Sequence, residues 1–225
     1  MTDAGRDPFS ELLYPMLSPQ PAAGDALILE LARAPLEKSA ESNRLRLELL
    51  DEFGDEIVRV ADDMAATFRR GGRLLALGNG GSATSAADMV AEMLVPSDGA
   101  SPIPALCLSN DIAVVTGIAN DVGFGDVFVR QIIALGRADD VVLAVSTSGN
   151  SENLVRGLAE ARRRGMNTIA ICGYDGGRVA REQVSDHCFV VRSSSVHRIQ
   201  EVQMTLYHLL TELVQRALEG EPACA

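Results

Sequence analysis

Tryptophan is absent from the chain, and aromatic residues of every kind make up only 4% of it. Base-stacking platforms, which are built from such rings, are therefore scarce. Positive charge is also in short supply: 20 Lys and Arg stand against 31 Asp and Glu, a formal net charge of -11. That balance excludes broad electrostatic attraction to DNA, RNA or an anionic membrane. An anionic ligand must be held by a local site. No apolar run approaches the length of a membrane span. The opening residues MTDAGRDPFSELLYP lack a basic-then-apolar leader, so a cytoplasmic location is expected. Of the cysteines Cys107, Cys172, Cys188 and Cys224, none forms a Cys-x-x-Cys pair. A disulfide framework is not expected from that spacing; buried free thiols are.

What is present is ordinary for a globular protein. Hydrophobic residues form 47% and charged residues 23% of 225 residues, enough for one domain with a sizeable core, with or without an appendage. Residues 1–38 read as an N-terminal extension, either loose or holding one or two short helices. Residues 39–220 read as the domain itself. Over 40–70, Leu45, Leu49, Phe53, Ile57, Val60, Met64 and Phe68 recur at helical spacing, and Gly71-Gly72 ends the pattern. Short apolar runs follow at 73–77, 104–108, 140–145, 167–172 and 187–191. Helical patterns lie between them at about 83–95, 111–120, 152–165 and 177–184, and a last long helix spans about 196–218. Fully apolar strands alternating with helices imply a three-layer α-β-α sandwich around a five-stranded parallel sheet. Ligands are expected in the crevice at the carboxyl ends of the strands. Arg162-Arg163-Arg164 reads as a solvated helix end, His187 as structural, and Asp175-Gly176-Gly177 as a strand-to-helix turn.

Two loops stand at the carboxyl ends of strands. Gly78-Asn79-Gly80-Gly81-Ser82 has the glycines needed for close backbone approach to a ligand, and Ser82 is placed to cap the next helix. Alone it reads equally as a plain turn. It has neither the Lys-Ser/Thr of a Walker loop nor dinucleotide spacing. Ser146-Thr147-Ser148-Gly149-Asn150-Ser151 gathers four hydroxyls at a helix N-terminus. A cap needs one hydroxyl, so four suit a phosphate monoester, held without Lys or Arg.

Those two loops, Ala119-Asn120-Asp121, Gly173-Tyr174-Asp175-Gly176-Gly177 and Arg198-Ile199-Gln200-Glu201 occur in one order over residues 40–218. Together they resemble the sugar isomerase (SIS) domain, a flavodoxin-like fold, and within it the phosphoheptose isomerases. The resemblance implies isomerisation of sedoheptulose 7-phosphate to D-glycero-D-manno-heptose 7-phosphate through an enediol. It also implies a homotetramer with metal-bearing sites at subunit interfaces. It puts sugar-phosphate binding on Asn79, Gly80, Gly81, Ser82, Asn120, Asp121, Ser146, Thr147, Ser148 and Ser151. Glu92 falls on the catalytic carboxylate, which also meets substrate, and His208 on the catalytic histidine. Gln200 falls on a residue that meets both metal and substrate. By residue type alone Glu92 reads as a solvated helix face, and His208 as a core or interface residue. A carboxylate there can move a proton between C1 and C2, and a histidine can handle the oxygen-bound proton or ring opening.

The chain departs from the pattern near that chemistry. Asp88 stands where a metal-binding His is usual, His197 where an Asp is usual, and Gln203 where a His is usual. Leu94-Val95-Pro96 replaces a Thr-Gly-Arg. The implied metal set is Asp88, Glu92, Gln200 and His208, one divalent ion per subunit: zinc by resemblance, manganese or magnesium if oxygen-rich ligation decides. The wide apolar faces of 40–70 and 196–218 exceed what one five-stranded domain is expected to cover, which points to packing between subunits. The rival reading is a non-catalytic SIS-type phosphosugar binder or assembly partner, like relatives that bind a replication initiator.

Overall fold

The computed structural model describes residues 24–96 and 99–220. The chain forms two compact units, residues 1–41 and 42–225. The described part of the first is helical from Gly24, with an Arg33–Glu37 ion pair at 3.0 Å. This helix, α1, runs Gly24–Arg69 and holds Pro35 inside it. The periodic apolar face starts only at Leu45, so sequence spacing put the start too late. Residues 25–34 and 36–41 are rich in Ala, Leu and Glu, strong helix formers that carry the helix past the proline. Residues 1–23, which include the rest of the expected extension, lie outside the described residues.

In the second unit α1 is followed by β1 (Leu74–Gly78), α2 (Gly81–Leu94), β2 (Ala105–Cys107) and α3 (Ile112–Asp121). Then come α4 (Val127–Leu135), β3 (Val141–Ser146), α5 (Glu152–Arg163), β4 (Asn167–Gly173), α6 (Gly177–Arg181), β5 (His187–Val191) and α7 (Val196–Glu219). The five strands pair in parallel in the order β2-β1-β3-β4-β5. The helix α4 is absent from the sequence reading. Nine residues rich in β-branched side chains are too short a run for periodicity to separate helix from strand.

Alternation along the strands splits the core in two. Leu74, Ala76, Leu143 and Ile171 face a layer of α1, α2 and α7, with Ile57, Met64, Met89, Val202 and Leu210 buried against them. Leu75, Leu77, Val142 and Ala144 face α4 and α5 through Phe128, Ile132 and Leu158. The premise that a single domain cannot cover the apolar faces of α1 and α7 is therefore corrected. Leu45, Leu49, Ile57, Val60 and Met64 are buried within this one chain, as are Val202, Leu206, Leu210 and Val214. The two helices lie in the same layer and cover each other as well as the sheet. Phe53 meets Phe189 edge to face at 5.6 Å. Cys107, Cys172 and Cys188 are free thiols, and Cys172 is buried. His187 bonds Glu56 through Nδ1 at 2.8 Å.

Candidate functional site

From β1 the chain passes outward to β2 at one edge; from β3 it passes outward through β4 to β5 at the other. The neighbours β1 and β3 therefore flank a switch point, and their carboxyl ends, Gly78 opposite Val145, open onto one crevice. The two chemistry-bearing loops leave the sheet there.

The first loop is closed by backbone. A Cβ on Gly78 would stand 2.4 Å from the Ser82 carbonyl oxygen, so only glycine fits. The cap of α2 is Gly80, at φ 54 and with no side-chain bond. Ser82 does not cap the helix as expected: it is a buried residue of the first turn, and its N–H donates to the Asn79 carbonyl at 3.0 Å.

The second loop keeps hydroxyls available. Ser146 Oγ accepts from Gly149 N at 3.0 Å and Ser148 Oγ from Asn150 N at 3.3 Å. Ser151 sits at the N-cap of α5 but makes no capping bond with its side chain. Gly149, at φ +61, lies against the Asp175-Gly176-Gly177 turn: its Cβ would be 2.0 Å from the Gly176 carbonyl oxygen. That turn is held by Asp175 Oδ1, which accepts from Gly177 N at 3.0 Å. The two loops are joined by a reciprocal amide pair, each Nδ2 of Asn79 and Asn153 donating to the other's Oδ1 at 2.9 Å. The loops and the N-termini of α2 and α5 thus form one pre-ordered, donor-rich crevice wall. Asn120 and Asp121 are exposed at the end of α3, and their side chains hydrogen-bond only to each other, at 2.8 Å, among the described residues.

The titratable cluster lies between α2 and α7. Asp88 and Glu92, four apart, share one face of α2. His208 Nδ1 is 2.5 Å from Glu92 Oε1, and its Nε2 is 3.9 Å from Asp88 Oδ2. Tyr207 OH donates to Asp88 Oδ2 at 2.7 Å, and its ring centroid lies 4.5 Å from that of His208. Burial, then the hydrogen bond to Asp88, pushes the Tyr207 phenol well above its ordinary pKa. It therefore stays a donor. A cavity of about 780 Å³ opens beside the cluster, bounded by Glu92, His208, Val95, Glu212 and Gln215.

Each residue of Arg198-Ile199-Gln200-Glu201 has a distinct contact. Arg198 pairs with Glu201 at 2.7 Å, and Ser42 Oγ donates to Glu201 at 2.5 Å, tying α7 to α1. Ile199 presses on Gly173, where a Cβ would be 2.5 Å from Ile199 Cγ2. Gln200 Nε2 would be 2.6 Å from a Cβ on Gly81, so its amide lies over the first loop. His197 is exposed.

Asp88, Glu92 and His208 each offer one ligand atom, all within 4.8 Å of one another. With side chains 51%, 35% and 40% exposed, the three leave room for water or substrate beside an ion. Two carboxylates and an imidazole fit a divalent cation. Gln200, the fourth member that sequence pointed to, has its amide over Gly81, about 10 Å of helix before Asp88, so this one chain does not bring it to the cluster.

Sequence reasoning missed Tyr207 and Asn153, and noted Gln203 only as a departure from the family pattern. Tyr207 had a signal, a hydroxyl beside His208 in an otherwise apolar stretch. Asn153 lies within the first turn of α5, where a buried amide reads as ordinary helix.

The family model for the SIS domain matches residues 39–173. The chain is 40% identical over 176 residues to a phosphoheptose isomerase of Aquifex aeolicus, covering 78% of this chain and 91% of that one. It is 41% identical over 166 residues to one from Roseiflexus sp., covering 73% and 83%. Among solved structures, a phosphoheptose isomerase of Neisseria gonorrhoeae superposes with a TM-score of 0.75 at 35% identity, covering 82% of this chain and 98% of that one. One from Francisella tularensis gives 0.76 at 29%, covering 84% and 98%. The five-stranded parallel sheet agrees with these solved structures, and the chain belongs to the SIS-domain family, among its phosphoheptose isomerases.

Proposed function

We propose that the chain interconverts sedoheptulose 7-phosphate and D-glycero-D-manno-heptose 7-phosphate. The observation that carries this reading is the Glu92–His208 pair, 2.5 Å apart, in a chain whose hydroxyl loop suits a phosphate monoester. Thr147, Ser148, Ser151 and the N-terminus of α5 hold the phosphate, and Asn79, Gly80, Gly81, Ser82 and Gln200 line the sugar. Ser146 supports the loop by accepting from Gly149, and Asn120 and Asp121 contact substrate from the end of α3.

Glu92 removes a proton from C1 of the ketose while His208 delivers one to the C2 oxygen, giving the enediol. Return of the carbon-bound proton from Glu92 to C2, with transfer of the O1 proton to His208, gives the aldose and restores both groups. Glu92 Oε1 faces His208 Nδ1, which leaves Oε2 for the carbon-bound proton. A divalent ion held by Asp88, Glu92 and His208, with Gln200 supplied across a subunit interface, would polarise the substrate carbonyl. The donor set, three oxygens and one nitrogen, favours manganese or magnesium over zinc.

We further propose a cytoplasmic homotetramer. Among the described residues no helix is long and apolar enough to cross a membrane. Exposed Leu47, Leu50, Met204, Ile112 and Phe124 offer apolar surface for subunit contacts. The non-catalytic rival is disfavoured because Glu92 and His208 are both kept and paired. The test is incubation with sedoheptulose 7-phosphate and a panel of other ketose phosphates, with NMR detection of aldose. No aldose from any of them refutes the reading.

A further inference from the structure

We infer that Gln203 is the positioning residue of the hydroxyl loop, an inference that rests on the reading of that loop as the phosphate site. Its side chain is fully buried, at 0% exposure. Nε2 donates to the Ser146 carbonyl at 2.9 Å and to the Ile171 carbonyl at 3.0 Å. Those carbonyls belong to adjacent strands, β3 and β4, at the ends where the loops leave the sheet. One amide on α7 therefore fastens two strands at the rim of the crevice. Of the amide's two ends only the NH2 can donate to two carbonyls, which fixes the amide's orientation.

The clamp acts on the loop through peptide geometry. In a trans peptide the C=O of one residue and the N–H of the next point to opposite sides. With the Ser146 carbonyl held toward α7, the Thr147 N–H is turned away from it. The following peptide is also constrained: the Thr147 carbonyl oxygen would be 2.6 Å from a Cβ on Gly173, beside Ile199. The first peptide plane of the loop is thus set from α7 by Gln203, and the second is packed against Gly173 at the end of β4.

The same amide carries a penalty. Its Oε1 is buried with no hydrogen-bond partner among the described residues. An unpaired buried acceptor is destabilising, and an apolar side chain of equal length would avoid it. The two N–H donors are what such a replacement would lose. His208 follows five residues later on the same helix, so the orientation of the loop and the position of the proton-transfer pair are fixed by one rigid element.

The experiment compares wild type with Gln203→Met, which keeps length but no donor, and Gln203→His, which keeps one N–H when neutral. Calorimetry with inorganic phosphate, steady-state kinetics on sedoheptulose 7-phosphate and thermal unfolding are read together. Gln203→Met is expected to raise Kd for phosphate and KM about tenfold, close to 1.4 kcal/mol, with a smaller change in kcat. Gln203→His should fall between the two. A lowered Tm with unchanged Kd and KM in Gln203→Met would make the residue merely structural and overturn the inference. If Gln203→Met does not fold, wild-type affinity in Gln203→His overturns the two-carbonyl clamp. The double variant Ser148→Ala/Ser151→Ala separates the two layers. Unweakened phosphate binding there refutes the loop reading and the clamp with it. Weakened binding there, with Gln203→Met unaffected, refutes the clamp alone.

Discussion

Glu92→Gln isolates the carbon-bound proton transfer. The amide is nearly isosteric, and its carbonyl oxygen can still accept from His208 Nδ1, which lies 2.5 Å from Glu92 Oε1 in the wild type. What is lost is the charge and the ability to take a proton. Both partners are partly exposed, at 40% for His208 and 35% for Glu92, so solvent screens the pair. Its removal should cost under about 1 kcal/mol of stability. A general base contributes roughly 10²–10⁴-fold to rate, or about 2.7–5.4 kcal/mol in the barrier at ~1.36 kcal/mol per tenfold. The chemical loss therefore exceeds the structural loss several times over. In deuterated buffer, NMR should show wild-type enzyme exchanging the C1 or C2 hydrogen with solvent, and Glu92→Gln failing to do so while still binding sugar phosphate. Wild-type exchange in a folded Glu92→Gln variant would remove Glu92 from the mechanism.

Replacing Ser148 and Ser151 together by Ala should weaken phosphate binding by on the order of 1.5–3 kcal/mol per lost charge-assisted bond, with the fold intact; calorimetry checks this. Tyr207→Phe keeps the ring against His208 but frees Asp88, and should lower divalent-metal affinity about 10–100-fold by equilibrium dialysis; unchanged affinity would show that the hydroxyl does not orient the carboxylate. Asp88→His should shift the metal preference toward zinc, read by elemental analysis of protein purified without chelator. Hydrogen bonds from Arg163 and then Arg164 lower the Glu160 pKa from 4.5 to about 2. A depressed carboxylate pKa stabilises the fold above about 4.5 and ceases to as pH falls toward 2. Glu160→Gln should therefore be less stable than wild type to urea at pH 6, with the gap closing as pH drops; a gap independent of pH would refute the assignment.

The sheet was legible because each strand is a continuous apolar run bounded by turns, and burial on both faces requires such runs. The beginning of α1 was not, since Pro35 reads as a break and helix propensity across it is invisible to apolar periodicity. The hydroxyl loop announced itself by having four hydroxyls where one would cap. Ser82 misled because a serine after glycines imitates a cap, whereas the first turn here closes on the Asn79 carbonyl. Glu92 and His208 became a site only through the ordered set of motifs. The contacts of Tyr207 and Asn153 depend on partners 119 and 74 positions away, and local spacing cannot encode such pairs.

The helix α7 carries Gln200, Gln203, Tyr207 and His208, and each meets a different part of the site. Such a helix resists changes in chain length. Deleting or inserting one residue between 203 and 207 would rotate everything beyond it by about 100° and shift it by about 1.5 Å along the axis. His208 would swing away from Glu92 while Gln203 still gripped the sheet. Point substitutions on the outer face of α7 are open to drift, but indels within it are not. Tolerance for length variation is displaced to segments that bear no such alignment.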